Sequence, residues 1–115
     1  MSEEDIVHDK RLTFNDWSRE RIRQGRKICT SRTKKYVDDP RVDWISPPLP
    51  LWFIKRYLYK PEGADSPEEL QKVVNQIFRK KVDSDRKFYV HFGDYSDEVD
   101  MDQLGLYSDF KNEVE

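Results

Sequence analysis

Apolar and polar positions alternate most clearly in "KFYVHF", residues 87–92, where Phe88, Val90 and Phe92 interleave with Tyr89 and His91. Side chains alternate faces along a strand, so this stretch reads as a half-buried strand. "SPEELQKVVNQIFRKK" has the other period. Leu70, Val73, Val74, Ile77 and Phe78 fall at i, i+3, i+4, i+7 and i+8, which is one face of a helix. Ser66 as N-cap, Pro67 at the first helical position and Glu69 form a capping box. Lys80 and Lys81 suit the C-terminal end of the helix dipole.

The remaining pattern is weaker. "RLTF" (11–14) and "KICTSR" (27–32) read as short strands. Between them Asn15 or Asp16 can cap a helix over residues 17–24, anchored by Phe14, Trp17 and Ile22. Gly25 fits the left-handed position just past its end. Further on, "VDDP" is a turn signal, "RVDWIS" a candidate strand and "SPPLP" a rigid breaker. Pro50 can start a helix through Leu51, Ile54, Tyr57 and Leu58, although the aromatics there also suit a strand. Short strands interleaved with helices point to an α+β domain, a small barrel carrying helices being one arrangement. The chain divides into an acidic N-terminus (1–9) expected to be disordered, a domain over 10–93 and an acidic tail over 94–115.

Composition sharpens this picture. With 115 residues the chain suits one domain and a small core. Apolar residues are only 36 % against 38 % charged, so the 13 % aromatics must supply much of the buried area. The single cysteine, Cys29, allows no internal disulfide and is compatible with a reducing cytoplasm. "MSEEDIVHDKR" lacks the apolar core of a signal peptide, and the longest apolar runs, 51–54 and 57–59, are far too short to span a bilayer. A cytoplasmic protein without a membrane partner is expected.

Charge is segregated. Residues 94–115 hold eight acids and one base, whereas residues 19–35 hold eight Lys or Arg and one acid, Glu20. Such asymmetry suggests an anionic partner for the body, the alternative being two solvated faces. The tail also carries Leu104, Leu106, Tyr107 and Phe110, which a merely solvating segment does not need. It is expected to fold back onto the basic face around residues 19–35.

Chemistry is sparse elsewhere. His8, His91 and Cys29 have no ligand spacing with one another, so neither metal nor cofactor is expected. Cys29 beside Ile28 reads as a core thiol. No GxSxG, P-loop or GxGxxG is present. In "KICTSR", residues 28, 30 and 32 share one strand face and 27, 29 and 31 the other. Thr30 and Arg32 therefore point the same way, with Lys27 at the strand's mouth. A lysine acts as a base only where burial or nearby cations lower its pKa, and Arg23, Arg26 and Arg32 are the suggested neighbours.

"LTFNDWSRERIRQGRKICTSR" resembles the opening of an ASCH domain, a branch of the PUA-like superfamily. The family pattern of an apolar strand ending in Phe, a helix, then Gly-Arg-Lys-x-x-Thr-x-Arg is matched by Phe14, Ile22, Gly25, Arg26, Lys27, Thr30 and Arg32. Glu62–Gly63 before the capped helix and "KFYVHFG" as closing strand extend the resemblance over most of residues 11–93. It implies a small PUA-like β-barrel with flanking helices, related to RNA-binding modules. The family's usual further hairpin does not fit into residues 33–48, which leaves the barrel open or truncated there.

One bacterial branch resembles an amidohydrolase of N4-acetylcytidine. Carried over by position, that resemblance implies Thr30 as nucleophile, Lys27 as its base and Glu62 handling protons, all three converging on one cleft. Three functions follow as expectations. The first is an RNA- or nucleotide-binding module contacted by Arg23, Arg26, Lys27, Arg32, Lys34, Lys35 and Tyr36, with aromatics such as Trp44 and Trp52 available for stacking. The second is that hydrolase, acting on a modified nucleoside. The third is a protein-interaction domain docking through its acidic tail.

Overall fold

The structure, a computed structural model, describes residues 5–99. In chain order its elements are β1 (Ile6–Val7), α1 (Asp16–Arg23), β2 (Cys29–Arg32), β3 (Lys35–Tyr36), β4 (Val42–Ile45), β5 (Leu49–Pro50), α2 (Leu51–Tyr57), α3 (Pro67–Phe78) and β6 (Lys87–Gly93). This is an α+β arrangement organised around β6. Along one edge β6 pairs antiparallel with β2, and along the other with β4 and then β5. Between β4 and β5 the ladder is kept by Ser46, whose N–H donates to Val90 O and whose hydroxyl accepts from Val90 N–H. A separate parallel pair joins β1 to β3.

The β2–β6 register sorts side chains between the two faces. Cys29 pairs with Phe92 and Ser31 with Val90, on the face that packs against Leu51, Ile54 and Leu70 of α2 and α3. Thr30 pairs with His91 and Arg32 with Tyr89, on the other face. A second cluster of Leu12, Ile22, Tyr95 and Val99 is extended by Phe14, Tyr36 and Val42. The half-buried strand expected over 87–92 is therefore buried on both sides: Phe88, Tyr89, Val90 and His91 are all covered. A central strand with layers on both faces loses the solvent side that alternation implies. His91 tolerates complete burial because its Nδ1 faces Tyr89 O at 3.0 Å and its Nε2 accepts from Tyr36 N–H at 3.0 Å.

Helix ends follow local chemistry. Asn15 caps α1 by accepting from Ser18 N–H, and Gly25 takes φ +74° beyond its end. Ser66 caps α3 by accepting from Glu69 N–H, while the Glu69 carboxylate reaches past it to Asp65 N–H. Lys80 and Lys81 lie outside α3, which stops at Phe78. Arg79 turns left-handed there, and Lys80 N–H bonds back to Asn75 O. The alternative strand over 51–58 gives way to α2.

Two expectations are corrected at the N-terminal side. Residues 11–14 form no strand. Leu12 N–H is taken by the Asp39 carboxylate, and Leu12 O and Thr13 O accept from Arg41 and Arg32, so side chains replace a ladder. Residues 6–7, in the stretch expected to be disordered, form β1.

The described start of the tail folds back, with Tyr95 and Val99 packed in one cluster with Leu12 and Ile22, while Asp97 and Glu98 pair with cations outside residues 19–35. Tyr95 and Val99 are buried, Asp97 meets Arg11 at 2.7 Å, and Glu98 meets the buried Arg41 at 2.6 Å. Leu104, Leu106, Tyr107 and Phe110 lie outside the described residues. Among the described residues no helix is long and apolar enough to cross a membrane.

Candidate functional site

β2 has a single sheet neighbour among the described residues, β6, so its other edge is turned away from the sheet. The turn after α2 covers part of that edge. Pro61 O accepts the N–H groups of both Ile28 and Cys29, at 2.8 and 3.2 Å. This fixes the next residue, Glu62, beside Lys27. Gly63 then takes φ +101°, and a Cβ there would lie 2.8 Å from Arg21 Cβ and 3.2 Å from Lys27 Cβ. Only glycine satisfies both the backbone angle and the close approach.

The result is a buried ion pair. Lys27 Nζ lies 3.1 Å from Glu62 Oε1 and 3.0 Å from Glu62 O, and the two side chains are 3 % and 4 % exposed. The second Glu62 oxygen accepts from the hydroxyl of Ser31. Thr30, one residue earlier on the opposite strand face, accepts instead from Arg32 Nε at 3.2 Å. Arg32 also donates to Thr13 O and lies over the Phe14 ring. Burial pulls its guanidinium below the ordinary value, an effect opposed by Tyr36 and Glu62. Cys29, wholly buried, has its thiol pushed up by burial and by the Glu62 charge, so it is a core residue rather than a thiolate.

A cavity of about 470 Å³ opens along this edge, lined by Lys27, Thr30, Ser31, Arg32 and Glu62. Phe14, Trp17 and Tyr36 add aromatic surface, and Val73, Val74 and Ile77 of α3 form an apolar wall. Its volume suits a small molecule, and a few polar groups converge within apolar walls, as in many ligand sites.

The expected convergence of Lys27, Thr30 and Glu62 is met in that all three line one cavity, but the hydroxyl in contact with Glu62 is that of Ser31. The residue paired with Lys27 is likewise Glu62, not Arg23, Arg26 or Arg32. Of the residues expected to contact nucleic acid, Lys27, Arg32 and Tyr36 line the cavity. Arg23 pairs with Glu20, Arg26 pairs with Asp65 beside a shallower hollow, and Lys35 lies over the Tyr89 ring. Lys34 is exposed outside the cavity, as are Trp44 and Trp52. Ser31 is not among the expected site residues, although the strand period places it on the face of Lys27. No group of His, Cys, Asp and Glu suited to a metal ion occurs among the described residues.

No protein-family model, curated protein or solved structure matches the chain.

Proposed function

We propose that the chain is a PUA-like, ASCH-type domain that binds RNA or a nucleotide by taking one base or nucleoside into the cavity along β2. The observation that carries this reading is the buried Lys27–Glu62 pair, with the Ser31 and Thr30 hydroxyls, in a cavity walled by Phe14, Trp17 and Tyr36. Aromatic side chains stack on unpaired bases, and a carboxylate with adjacent donors can read the edge of a base. Pairing of Arg23 and Arg26 with acids disfavours a long phosphate track through them and favours recognition of one nucleotide. Titration of the protein with cytidine, N4-acetylcytidine and a short single-stranded RNA, followed by tryptophan fluorescence, tests this. Saturable quenching should be lost in Trp17→Phe. Each phosphate contact on single strands contributes about −0.7 to the slope of log K against log salt, so a slope between about −0.7 and −1.4 is expected. A slope steeper than about −4 with no response to nucleosides would overturn the reading.

A second reading is supported by the same pair. A hydroxyl beside a buried carboxylate–ammonium pair has the parts needed for acyl transfer. On that reading the domain hydrolyses the amide of a modified nucleoside such as N4-acetylcytidine. Release of cytidine on incubation, measured by chromatography, is the expected outcome. No release above buffer, together with saturable nucleoside binding, leaves the binding module alone.

A further inference from the structure

We infer that the acyl-accepting hydroxyl of this site is Ser31, with Glu62 as its proton acceptor and Lys27 as the charge that balances Glu62. The inference rests on the hydrolytic reading and departs from its assignment of Thr30.

The geometry separates the two hydroxyls. Ser31 donates to a Glu62 carboxylate oxygen, so its proton already points at an acceptor. Thr30 receives a hydrogen bond from the Arg32 guanidinium, a donor that cannot take a proton. Strand alternation places Ser31 on the face of Lys27 and Thr30 on the other. Ser31 is half-buried and lines the cavity, so a carbonyl carbon inside it can reach the Ser31 oxygen.

The step balances without a further reactant except water. Ser31 Oγ forms a bond to the carbonyl carbon of an N-acyl group as its proton passes to Glu62. The C–N bond breaks, and the amine leaves with that proton. Water then attacks the resulting ester, releasing the carboxylic acid and restoring the Ser31 hydroxyl. Lys27, 3.1 Å from Glu62, offsets the carboxylate charge, and the one N–H it does not donate to Glu62 can face the developing oxyanion. The substrate class is an acyl amide or activated ester on a planar aromatic leaving group, which the Trp17 and Tyr36 walls accommodate.

The full chain is treated with p-nitrophenyl acetate and with N4-acetylcytidine, quenched in acid and mapped by peptide mass spectrometry. One acetyl group on Ser31 is expected. Ser31→Ala should bring p-nitrophenolate release down to the level of buffer, whereas Ser31→Cys, which keeps a nucleophile of similar size, should retain an acylated residue at position 31. Circular dichroism checks that both variants remain folded. An acetyl group on Thr30 overturns the assignment and leaves the hydrolytic reading standing. Absence of acetyl from both hydroxyls with no turnover overturns both.

Discussion

Removing one partner of the Lys27–Glu62 pair should cost more than any surface ion pair in the molecule. At 3.1 Å two unit charges attract by about 5 kcal/mol at an effective dielectric constant near 20. That attraction is set against desolvation, so the pair's net worth is far smaller. Breaking it is different. Lys27→Met leaves the Glu62 carboxylate, 4 % exposed, with Ser31 as its remaining side-chain donor. An uncompensated buried charge costs about 3–5 kcal/mol, a large share of the roughly 5–15 kcal/mol that holds a domain folded. With a urea slope of about 1.5 kcal/mol per molar, the unfolding midpoint should fall by about 2–3 M.

Glu62→Gln alone should be similarly harmful, because it strands the ammonium. The double variant Lys27→Met/Glu62→Gln removes both charges and should return to within about 1–2 kcal/mol of the parent. Urea unfolding of the four proteins closes the cycle. If the single losses simply add in the double variant, or each is below about 1 kcal/mol, the pair is not buried in the manner described. The cycle also supplies the right functional control. Lys27→Ala alone confounds lost binding with lost folding. The double variant keeps the fold and should lose the fluorescence response to nucleosides.

Three further outcomes are expected. Burial raises the Asp39 carboxyl, but hydrogen bonds from Arg41 and from Leu12 N–H outweigh it and bring the group down to about 2. Its contribution, roughly 2 kcal/mol, is complete above the unfolded value near 4 and is lost as pH falls towards 2, a dependence that Asp39→Asn should remove from a plot of Tm against pH. Burial, reinforced by Arg32, lowers the His91 pKa; the unfolded chain therefore protonates first, and stability should decline as pH drops below about 6.5, with loss of the Tyr36 amide's exchange protection. Gly63→Ala should cost about 1–3 kcal/mol through its φ of +101° and the contact with Arg21 Cβ, and should weaken nucleoside binding by displacing Lys27.

Much of the fold was legible because it is local. The capped helix at Ser66, the Asn15 cap, the left-handed Gly25 and the strand at residue 29 each carry their signal within a few residues. What escaped depends on partners distant in sequence. Residues 11–14 have the composition of a strand, yet their backbone is satisfied by Asp39, Arg41 and Arg32, and no periodicity records that. His91 and Tyr89 look like a solvent face because they are polar. His91 is buried with both ring nitrogens partnered, and Tyr89 donates to Asp5. The site divides in the same way. The period of "KICTSR" put Lys27 and Ser31 on one face, but pattern alone said nothing of Glu62, whose approach depends on Pro61 O bonding to the start of β2. Glu62 entered only through the family resemblance.

The same distinction decides how the charge segregation should be read. In sequence, the basic run over 19–35 looks like a footprint for a polyanion. In space, Arg21 meets Glu69, Arg23 meets Glu20, Arg26 meets Asp65, Lys27 meets Glu62, and Arg32 is directed to Thr13 O and Thr30. The tail acids Asp97 and Glu98 are matched in turn by Arg11 and Arg41. Internal pairing offsets much of the field that would gather phosphates, since a paired cation releases few counterions on binding. On the proposed binding reading, selectivity comes from the cavity, where the Glu62 carboxylate, the Lys27 ammonium, the Arg32 guanidinium and the Ser31 and Thr30 hydroxyls share a lining with Phe14, Trp17 and Tyr36. On that proposed reading, such a set suits the exocyclic groups of one base better than a run of phosphates. The chemistry to probe first is therefore at the base edge, with nucleosides that differ by a single acyl or amino group.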